Sequence, residues 1–587
     1  MQFRNMTNAK TLFPTNDPDD LLKLKKLKSK LLTKAVLKAL QLDKIDEIYR
    51  KTGEMQGAAF LDSVLEQLKI HYTFREEELK NIPKTGSFMV IANHPYGGID
   101  GLILMSLLLK QRPDFKMMLN YLLQQFPEVL SNSILVDPFE RKSSTGMNMK
   151  GIRKSLSLLK NDTPVGIFPA GEVSTFQIDK MRITDKQWHP VVGKMILKAE
   201  VPVVPVYFSG HNSFLFHMMG LVNPKLRTAR LPAELFNKKE SIQVRIGKPV
   251  YVSTIKSFQD SDKLLRFLRA KTYSLGSSLD VKSYFMMPPV RKKIAEPIIP
   301  ETPVEQLLLE IEQLNNEKSL LVKQMHYSVY IAGSVEIPAI LREISRLREI
   351  TFREVGEGTN HAFDSDEFDL YYKHLFVWDH ENNKLVGAYR IGEGIKLYAR
   401  YGKKGFYLNQ LFKFTKDFDA VFKSSLELGR SFIVNEYQRS PFALMLLWKG
   451  IYEFVNRNPG YSTLIGPVSI SNAYTHLSKG LMVNYILKNH FDKELAAMVS
   501  PRKQYRFTFK GESKGFKDSD IQEMRLIDQL ISDIEPTRSK VPVLLKKYLS
   551  KHAKIIAFNV DPEFNHSLDG LLILKLKDIP DGAFNLT

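Results

Sequence analysis

Several features that often reveal a protein's chemistry are missing from this chain of 587 residues. It contains no cysteine, which excludes disulfides, thiolate metal ligands and a cysteine nucleophile. Its longest apolar runs, such as LILMSLLL at 102–109, fall short of the roughly 18 residues that a membrane-spanning helix needs. Zinc-finger spacings and the aromatic patterns of RNA-binding domains are also missing. We therefore expect no transmembrane span, no metal site and no nucleic-acid partner, and a cytoplasmic location.

Positive charge, by contrast, is abundant. The formal net charge of +20 predicts an acidic partner, such as an anionic membrane surface or an acidic protein. The stretch DLLKLKKLKSKLLTKAVLKAL, residues 20–40, carries seven lysines around a leucine stripe at helical spacing. We interpret residues 1–45 as a basic amphipathic segment that associates with a membrane. A lysine-rich helix packed on the following domain is the alternative.

A cluster of prolines marks a boundary near the middle of the chain. Five prolines within 284–305 cannot all lie inside helices or central strands, so we predict a linker at 286–305. Before it, strand-like runs such as FMVIAN, SILVD and VPVVPVYF alternate with helical stretches, which predicts an α/β domain over 46–285. After it, a hairpin-rich pattern with a strand, a helix and a further strand predicts a second α/β domain over 306–587.

One loop of the first domain carries a titratable pair. In SFMVIANHPYGGID, residues 87–100, an apolar strand ends at Asn93 and His94, and two glycines separate the histidine from Asp100. This loop is flexible enough for the carboxylate to orient the imidazole, which is what a general base needs to take a proton from an alcohol. Taken alone, such a pair is more often structural.

Three further blocks follow in order: DPFERK at 137–142, FPAGEVS at 168–174 and VPVVPV at 201–206. With NHPYGGID they resemble the motif blocks of the glycerolphosphate and lysophospholipid acyltransferases, an α/β family that transfers fatty acyl groups to hydroxyls. The resemblance implies His94 as general base and Asp100 as its orienting partner. It also implies substrate contacts from the following residues: Asn93, Arg141, Phe168, Pro169, Gly171 and Glu172. Ala170 and Val173 depart from the usual third block, which favours an acceptor other than lysophosphatidate.

The second domain contains a cluster of acidic residues, Asp364, Asp366 and Asp369, before a predicted hairpin. Carboxylates so close together bind cations, but the EF-hand pattern is missing, and a substrate ammonium is the other candidate. Arg390 and the run LELGRSFIV, with Glu427 and Arg430, complete a set that resembles the N-acyltransferases of ornithine-lipid and glycine-lipid synthesis, which have a GNAT-like fold.

That resemblance implies roles for five residues of the second domain. Glu427 is expected to act as the catalytic base or to anchor the water that does. Asp366 and Asp369 are expected to hold the ammonium or to order the loop, and Arg390 and Arg430 to bind a carboxylate or phosphate. A structural ion pair between Glu427 and an arginine is the alternative. The loop NEYQRSP lacks the glycines of a diphosphate-binding loop, which favours acyl carrier protein over coenzyme A as the donor.

Together the two resemblances predict a bifunctional acyltransferase without a cofactor. The second domain would join a 3-hydroxyacyl group from acyl carrier protein to an amino acid, ornithine or glycine. The first would then esterify the 3-hydroxyl of that lyso-aminolipid, at the cytoplasmic face of a bacterial inner membrane. The alternatives are a lysophospholipid acyltransferase with a carrier-protein docking domain, and a basic membrane-binding or nucleic-acid-binding protein without activity.

Overall fold

The structure of the chain is a computed structural model. It describes residues 41–52, 55–120, 127–136, 145–177, 182–222, 230–237, 241–277, 279, 295–439, 441–517, 521–535, 537 and 539–579. Most of the predicted amphipathic segment 1–45, and Arg141 with the whole DPFERK block, lie outside the described residues. Among the described residues, no helix combines the length and the apolar character that crossing a membrane requires.

The chain forms two compact units, one from Met1–Lys282 with Phe509–Asp520 and the other from Ser283–Thr508 with Ile521–Thr587. They differ from the predicted domain limits in two places. The segment 509–520 packs with the first unit, although it was assigned to the second domain. The other difference concerns the predicted linker, whose described part is bonded to the second unit.

This part of the linker, 295–303, is extended. The backbone N–H groups of Glu296, Ile299 and Thr302 donate to the carbonyls of Asn360 and Ala362 and to the Glu343 carboxylate, at 2.9, 3.1 and 3.0 Å. Each of these three donors directly precedes a proline, and a residue in that position prefers an extended backbone. These three prolines therefore favour an extended segment that is hydrogen-bonded to the second unit, and not a free linker.

The first unit is built around a seven-stranded sheet in the order β1-β9-β8-β2-β5-β3-β4, with a separate hairpin β6-β7. All its neighbouring strands are parallel except β8 and β9. Its strands are β1 Tyr72–Phe74, β2 Met89–Ala92, β3 Lys116–Asn120, β4 Ser133–Val136, β5 Val165–Ile167, β6 Thr175–Gln177, β7 Arg182–Thr184, β8 Val203–Phe208 and β9 Ile242–Ile246.

Helices cover this sheet, so its central strands are buried on both faces. This explains their continuous apolar runs and the burial of every residue of β2. They span Leu42–Thr52, Gly57–Gln67, Gly98–Gln111, Pro127–Leu130, Thr145–Lys160, Pro190–Ala199, Phe214–Val222, Val252–Lys256, Ser261–Ser274 and Lys514–Lys517. The carboxyl ends of the neighbouring parallel strands β5, β2 and β8 meet at one edge of the sheet, which is where α/β folds usually place their sites.

The second unit contains an eight-stranded sheet in the order β10-β11-β12-β13-β15-β16-β19-β18 and a short pair β14-β17. Its strands are β10 Leu320–Gln324, β11 Tyr327–Gly333, β12 Lys373–Asp379, β13 Lys384–Glu393, β14 Phe412–Phe414, β15 Ser425–Ile433, β16 Thr463–Ile470, β17 Val499–Pro501, β18 Lys554–Asp561 and β19 Ser567–Lys575. Its helices span Val304–Gln313, Pro338–Glu354, Gly394–Tyr401, Leu408–Leu411, Asp419–Lys423, Phe442–Arg457, His476–Asn489, Lys493–Ala496, Met524–Ile534 and Val543–Leu549.

Only one pair in this large sheet is parallel, and it is incomplete. β15 and β16 pair only between Ser425–Glu427 and Thr463–Ile465, although the two strands are nine and eight residues long. β15 also bulges after Gly429, where Arg430 adopts a left-handed φ of 50°. The two strands therefore separate beyond their first three residues, and we call this gap the β15–β16 split.

The predicted fold class is confirmed, because both units are α/β. The hairpin expected from HLFVWDHENNKLVGAYRI is present as β12 and β13.

Candidate functional site

The loop after β2 brings His94 and Asp100 together, as the sequence predicted. Nδ1 of His94 lies 3.1 Å from a carboxyl oxygen of Asp100. The same oxygen accepts the backbone N–H groups of Tyr96 and Gly97 at 2.8 and 3.0 Å, because Asp100 occupies the third position of the helix Gly98–Gln111. Asp100 is fully buried, and burial raises its pKa against the opposing effects of His94 and the two amides.

Phe168 lies directly against this histidine. The two rings stack with centroids 3.8 Å apart and planes 23° from parallel. Phe168 follows β5, and its carbonyl accepts the N–H of Gly171 at 3.0 Å in a tight turn where Gly171 has a φ of 67°. The carbonyl of Pro169 accepts the N–H of His189 at 2.9 Å, which holds the turn in place. Asp100 on one side and Phe168 on another thus fix the orientation of the imidazole.

A buried carboxylate that the sequence analysis missed holds the backbone of the same loop. One oxygen of Asp185 accepts the backbone N–H of His94 at 3.1 Å and the hydroxyl of Ser174 at 2.5 Å, and the other accepts Nε1 of Trp188 at 2.9 Å. The N–H of Ser174 in turn donates to the carbonyl of His94 at 2.8 Å. No local motif marks Asp185, because the loop that it supports lies 91 residues away in the sequence.

Behind Asp185, a buried ion pair reaches into the segment 509–520. Arg269, on the helix Ser261–Ser274, donates to the backbone carbonyls of Asp185, at 2.6 Å, and of Lys186. Glu512 accepts Nε of Arg269 at 2.5 Å and also contacts Arg182 at 2.8 Å. The side chains of Arg269 and Glu512 are only 9% and 10% exposed. A residue more than 400 positions from His94 in the sequence therefore supports the loop that positions it.

Two other predicted residues of the first unit have different surroundings. Asn93 was expected to contact substrate, but its buried amide donates to the carbonyl of Phe208 at 2.9 Å and accepts that residue's N–H at 2.8 Å. It therefore ties the end of β2 to β8, and its contact with substrate stays a prediction. Glu172 is partly exposed and pairs with Lys186 at 2.9 Å.

In the second unit, the acidic cluster is paired with three arginines. Asp369 binds Nη2 of Arg348 at 2.8 Å and Nη1 of Arg390 at 3.2 Å. Asp366 pairs with Arg390 and with Arg430, the latter at 3.1 Å. Asp364 completes the network through Nε of Arg348 at 2.8 Å and of Arg430 at 3.5 Å.

This pairing bears on the predicted roles of Asp366, Asp369, Arg390 and Arg430, which stay predictions. Burial raises the pKa of Asp369, but Arg348 and Arg390 outweigh this effect and hold that pKa well below its usual range. This side chain therefore stays charged and bound to them. Asp366 and Asp369 are thus bound to guanidinium groups and cap the short helix Glu367–Leu370, which agrees with the expectation that they order this loop. Arg390 and Arg430 are bound to carboxylates of this chain. Arg348, which the sequence analysis missed, is buried at the centre of the network.

Glu427 lies on the same face of the sheet, and neither predicted arginine forms an ion pair with it among the described contacts. The hydroxyl of Tyr372 and the backbone N–H groups of Leu408 and Tyr407 donate to its carboxylate, the last two at 2.8 and 3.2 Å. Burial raises the pKa of Glu427 to about 7, against the effect of these donors and of Arg390. Its position next to the β15–β16 split fits the predicted active-site region, and its partners favour a role in positioning Tyr407.

Comparisons with known proteins match part of each unit to a family. Residues 25–282 match the family described as "Acyltransferase", and residues 347–449 match "Acetyltransferase (GNAT) domain". The glycine N(alpha)-acyltransferase of Phocaeicola vulgatus is 31% identical over 214 residues, 34% of this chain, and the match spans 64% of that protein, just under two thirds of its length. The lyso-glycine lipid O-acyltransferase of Bacteroides thetaiotaomicron is 25% identical over 274 residues, 44% of this chain and 97% of that protein.

A crystal structure of the 1-acyl-sn-glycerophosphate (LPA) acyltransferase PlsC from Thermotoga maritima also matches, with 17% identity and a TM-score of 0.26, over 45% of this chain and 90% of that one. The two family matches agree with the two resemblances that the sequence motifs indicated. The chain therefore joins a region similar to the acyltransferase family, residues 25–282, to a region similar to the GNAT domain, residues 347–449.

Proposed function

We propose that the chain makes a phosphorus-free aminolipid in two acyl transfers. The second unit forms an amide between a 3-hydroxyacyl group and the amine of glycine, and the first unit esterifies the hydroxyl of that product. The observation that carries the proposal is the presence of both acyltransferase families in one chain, with relatives named for the N-acyl and the O-acyl step of glycine lipids. Those names favour glycine over ornithine as the acceptor.

For the O-acyl step, the geometry supports His94 as the base. Since its Nδ1 faces Asp100, its Nε2 is the nitrogen left to receive the proton of the lipid hydroxyl. The hydroxyl oxygen then attacks the thioester carbonyl, the carbon–sulfur bond breaks, and the imidazolium returns its proton to the departing thiolate. Asp100 and Phe168 keep the imidazole in one orientation throughout. This sequence needs no covalent enzyme intermediate.

For the N-acyl step, the β15–β16 split is the place where an extended acyl donor fits. Beyond Glu427 and Ile465 the two strands have no ladder pairing, although the carbonyl of Leu428 still lies close to Gly466. The backbone groups of the strands farther along would bind the amides of a phosphopantetheine arm. The loop before the helix Phe442–Arg457 lacks the glycines that cradle a diphosphate. The split would accept the phosphopantetheine arm of either donor, and the loop without glycines supports acyl carrier protein over coenzyme A.

The net positive charge of the chain suggests acidic binding partners. Carrier proteins and the inner face of a bacterial membrane are both acidic, and a chain of net charge +20 attracts them by long-range electrostatics. We propose that the enzyme binds peripherally to the cytoplasmic face of the inner membrane, where its lipid intermediate is located. Salt-sensitive binding to anionic vesicles, and weaker binding to neutral ones, would support this location.

Lipid mass spectrometry on a bacterial host without aminolipids tests the proposal. The host must supply 3-hydroxyacyl carrier protein. The intact chain is expected to yield a diacylated glycine lipid, His94→Ala the monoacylated amide, and Glu427→Ala neither product. His71→Ala and Glu494→Ala, which change an exposed histidine of the first unit and an exposed glutamate of the second, serve as matched controls and should give the intact-chain product.

The other outcomes are also informative. An ornithine-containing lipid would keep the two-step scheme and correct the acceptor. A changed acyl composition of the phospholipids, without any new amine-containing lipid, would replace the proposal by a lysophospholipid acyltransferase. No new lipid of either kind would refute the proposed function.

A further inference from the structure

The helix Phe214–Val222 of the first unit exposes several large apolar side chains. Phe214, Leu215 and Met218 are 78%, 51% and 42% exposed. Because successive residues of a helix are about 100° apart, positions i, i+1 and i+4 lie within one arc of its surface. These three side chains therefore form one face, which we call the apolar patch. Single exposed apolar residues are common, but a cluster on one face marks a site of interaction.

The rest of this helix is firmly attached to the first unit. Phe216 is fully buried and His217 is 5% exposed, so the other side of the helix packs inward. Ser213 directly precedes the helix, and its hydroxyl accepts the N–H of Phe216 at 3.3 Å. The same residue donates its N–H and its hydroxyl to the buried carboxylate of Glu234, at 3.0 and 2.7 Å. The apolar patch is therefore held in a defined position.

The segment that leads into the helix contacts the loop that carries His94. The buried side-chain amide of Asn212 donates to the carbonyls of Pro95 and Tyr96, at 3.3 and 3.2 Å. Gly210, with a φ of 90°, lies against the Tyr96 side chain so closely that a larger residue would clash with it. Pro95 directly follows His94, and the patch begins two residues after Asn212. The patch and the proposed base of the O-acyl step therefore lie close to each other.

The sequence around the patch carries positive charge without negative charge. Between Glu200 and Glu234 it contains no aspartate or glutamate, but it contains Lys225, Arg227 and Arg230 soon after the helix. Arg230 pairs with Glu234 at 3.0 Å, and the other two cations give this stretch a net positive charge. Apolar side chains followed by cations suit a membrane of anionic lipids, because the apolar groups enter the acyl region while the cations stay at the headgroups.

We propose that the apolar patch inserts into the cytoplasmic leaflet of an anionic membrane and so holds the His94 site at the membrane surface. This inference rests on the proposed O-acyl transfer and names the surface through which the first unit takes its acceptor. That acceptor carries a fatty acyl chain, and moving the chain fully out of a bilayer loses the hydrophobic stabilisation of each buried methylene. A base beside the point of insertion reaches the hydroxyl while the chain stays in the lipid.

Quenching of tryptophan fluorescence tests the insertion on the full-length chain. The sequence has three tryptophans, Trp188, Trp378 and Trp448, and none is more than 2% exposed, so the wild-type chain gives a constant background. The vesicles contain phosphatidylethanolamine and phosphatidylglycerol, with or without bromine on their acyl chains. The additional emission of Phe214→Trp should shift to shorter wavelength on either vesicle and should be mostly lost on the brominated one.

Tyr251→Trp is the matched control. Tyr251 is 46% exposed and adjoins Val250, which pairs with Val203 at the start of β8, whereas the helix of the patch follows the end of β8. A strand of this length, six residues, spans about 20 Å. The additional emission of Tyr251→Trp should therefore persist on brominated vesicles. Equal quenching of the two variants would show that the patch is not the inserted surface and would overturn the inference.

Three further results would overturn it. The first is an emission of Phe214→Trp that brominated lipid does not quench although the chain binds the vesicles. The second is a short-wavelength emission that is present without vesicles and does not change when they are added, because the stretch 20–40 or a second copy of the chain would then cover the patch. The third is a chain that does not bind these vesicles.

An activity measurement connects the patch to the O-acyl step. The double variant Phe214→Ser, Leu215→Ser should lower kcat/KM for a lyso-glycine lipid in vesicles by about tenfold or more, because two apolar side chains no longer enter the lipid. Its kcat/KM for N-(3-hydroxybutyryl)glycine, a water-soluble acceptor, should stay within threefold of wild type, and Tyr251→Ser should change neither value. An equal loss with both acceptors would assign the two residues to the site itself and overturn the inference.

The fluorescence measurement also separates this inference from the proposed function, since quenching needs no turnover. Quenching of Phe214→Trp without any O-acylation would keep the membrane surface and refute only the proposed function. O-acylation of the lyso-lipid without quenching would keep the proposed function and refute only the membrane surface.

Discussion

The contact between Glu512 and Arg269 gives the sharpest structural prediction, because it links a residue of the C-terminal half to the His94 loop. Glu512→Ala leaves a guanidinium that is only 9% exposed without its carboxylate. Removing one partner of a buried ion pair costs about 3–5 kcal/mol. Glu512 also accepts the hydroxyl of Thr184 at 3.2 Å, so the strand β7 loses a hydrogen bond as well. We expect the first unit to lose about that free energy and the second unit to keep its stability.

Hydrogen exchange measures the two units separately, since it reports local opening free energies. In Glu512→Ala, amides of the helix Ser261–Ser274 and of β7 should exchange at least 100-fold faster, while those of β15 should be unchanged. The O-acyl step should fall and the monoacylated amide should accumulate. Glu494→Ala, an exposed glutamate of the same half, is the control.

A double-mutant cycle excludes a general effect of the substitution. Arg269→Met should be destabilising alone, but the combined variant should cost at least 1 kcal/mol less than the sum of the two single changes, because the interaction is already lost. Additive effects, or unchanged exchange in the helix Ser261–Ser274, would refute the argument that Glu512 supports the loop through Arg269.

Three further predictions follow from buried groups. Asp185→Asn presents an N–H₂ group to Trp188 or to the His94 loop in place of an acceptor. The free energy of unfolding by urea should fall by about 1–3 kcal/mol, and O-acylation in a lipid assay should fall at least tenfold. Unchanged values would contradict the role of Asp185. Arg348→Met removes one of the two arginines that pair with Asp369, so the free energy of unfolding of the second unit should fall by about 3–5 kcal/mol. Faster amide exchange in β15 would measure this loss, and O-acylation should be retained. Because the pKa of Asp569 is raised to about 7 in the folded state, its ionisation destabilises the fold as pH rises from about 4 to 7, so Asp569→Asn should be more stable than wild type above pH 7, by up to about 4 kcal/mol. A variant less stable than wild type at pH 8 would show that the Asp569 charge is compensated.

Much of the architecture was predictable from short patterns. The apolar runs that became β2, β5 and β8 and the hairpin of β12 and β13 carry their periodicity within a few residues, so the sequence indicates them directly. His94, Asp100 and Phe168 were also predicted, and the structure brings all three together. Glycines supplied the tight turns near them, and a motif of this kind is a local property.

The roles of charged residues were predicted less well. The cluster of Asp364, Asp366 and Asp369 suggested a cation site, yet its cations are arginines of this chain. Arg348 comes from a helix before the cluster, and Arg390 and Arg430 come from two strands after it. A run of carboxylates does not specify its partners, since that depends on which strands lie side by side.

By itself, the sequence determined two α/β units, their order and the presence of a histidine–aspartate pair at a strand end. Only the tertiary structure decided which charges neutralise each other and which are left over. Asp185 and Glu512 support the His94 loop, and three arginines neutralise the acidic cluster, because sheet register and helix packing bring distant segments together. Hydrogen-bond partners at such separations leave no periodic trace in the chain, and they become visible only once the fold has paired the strands.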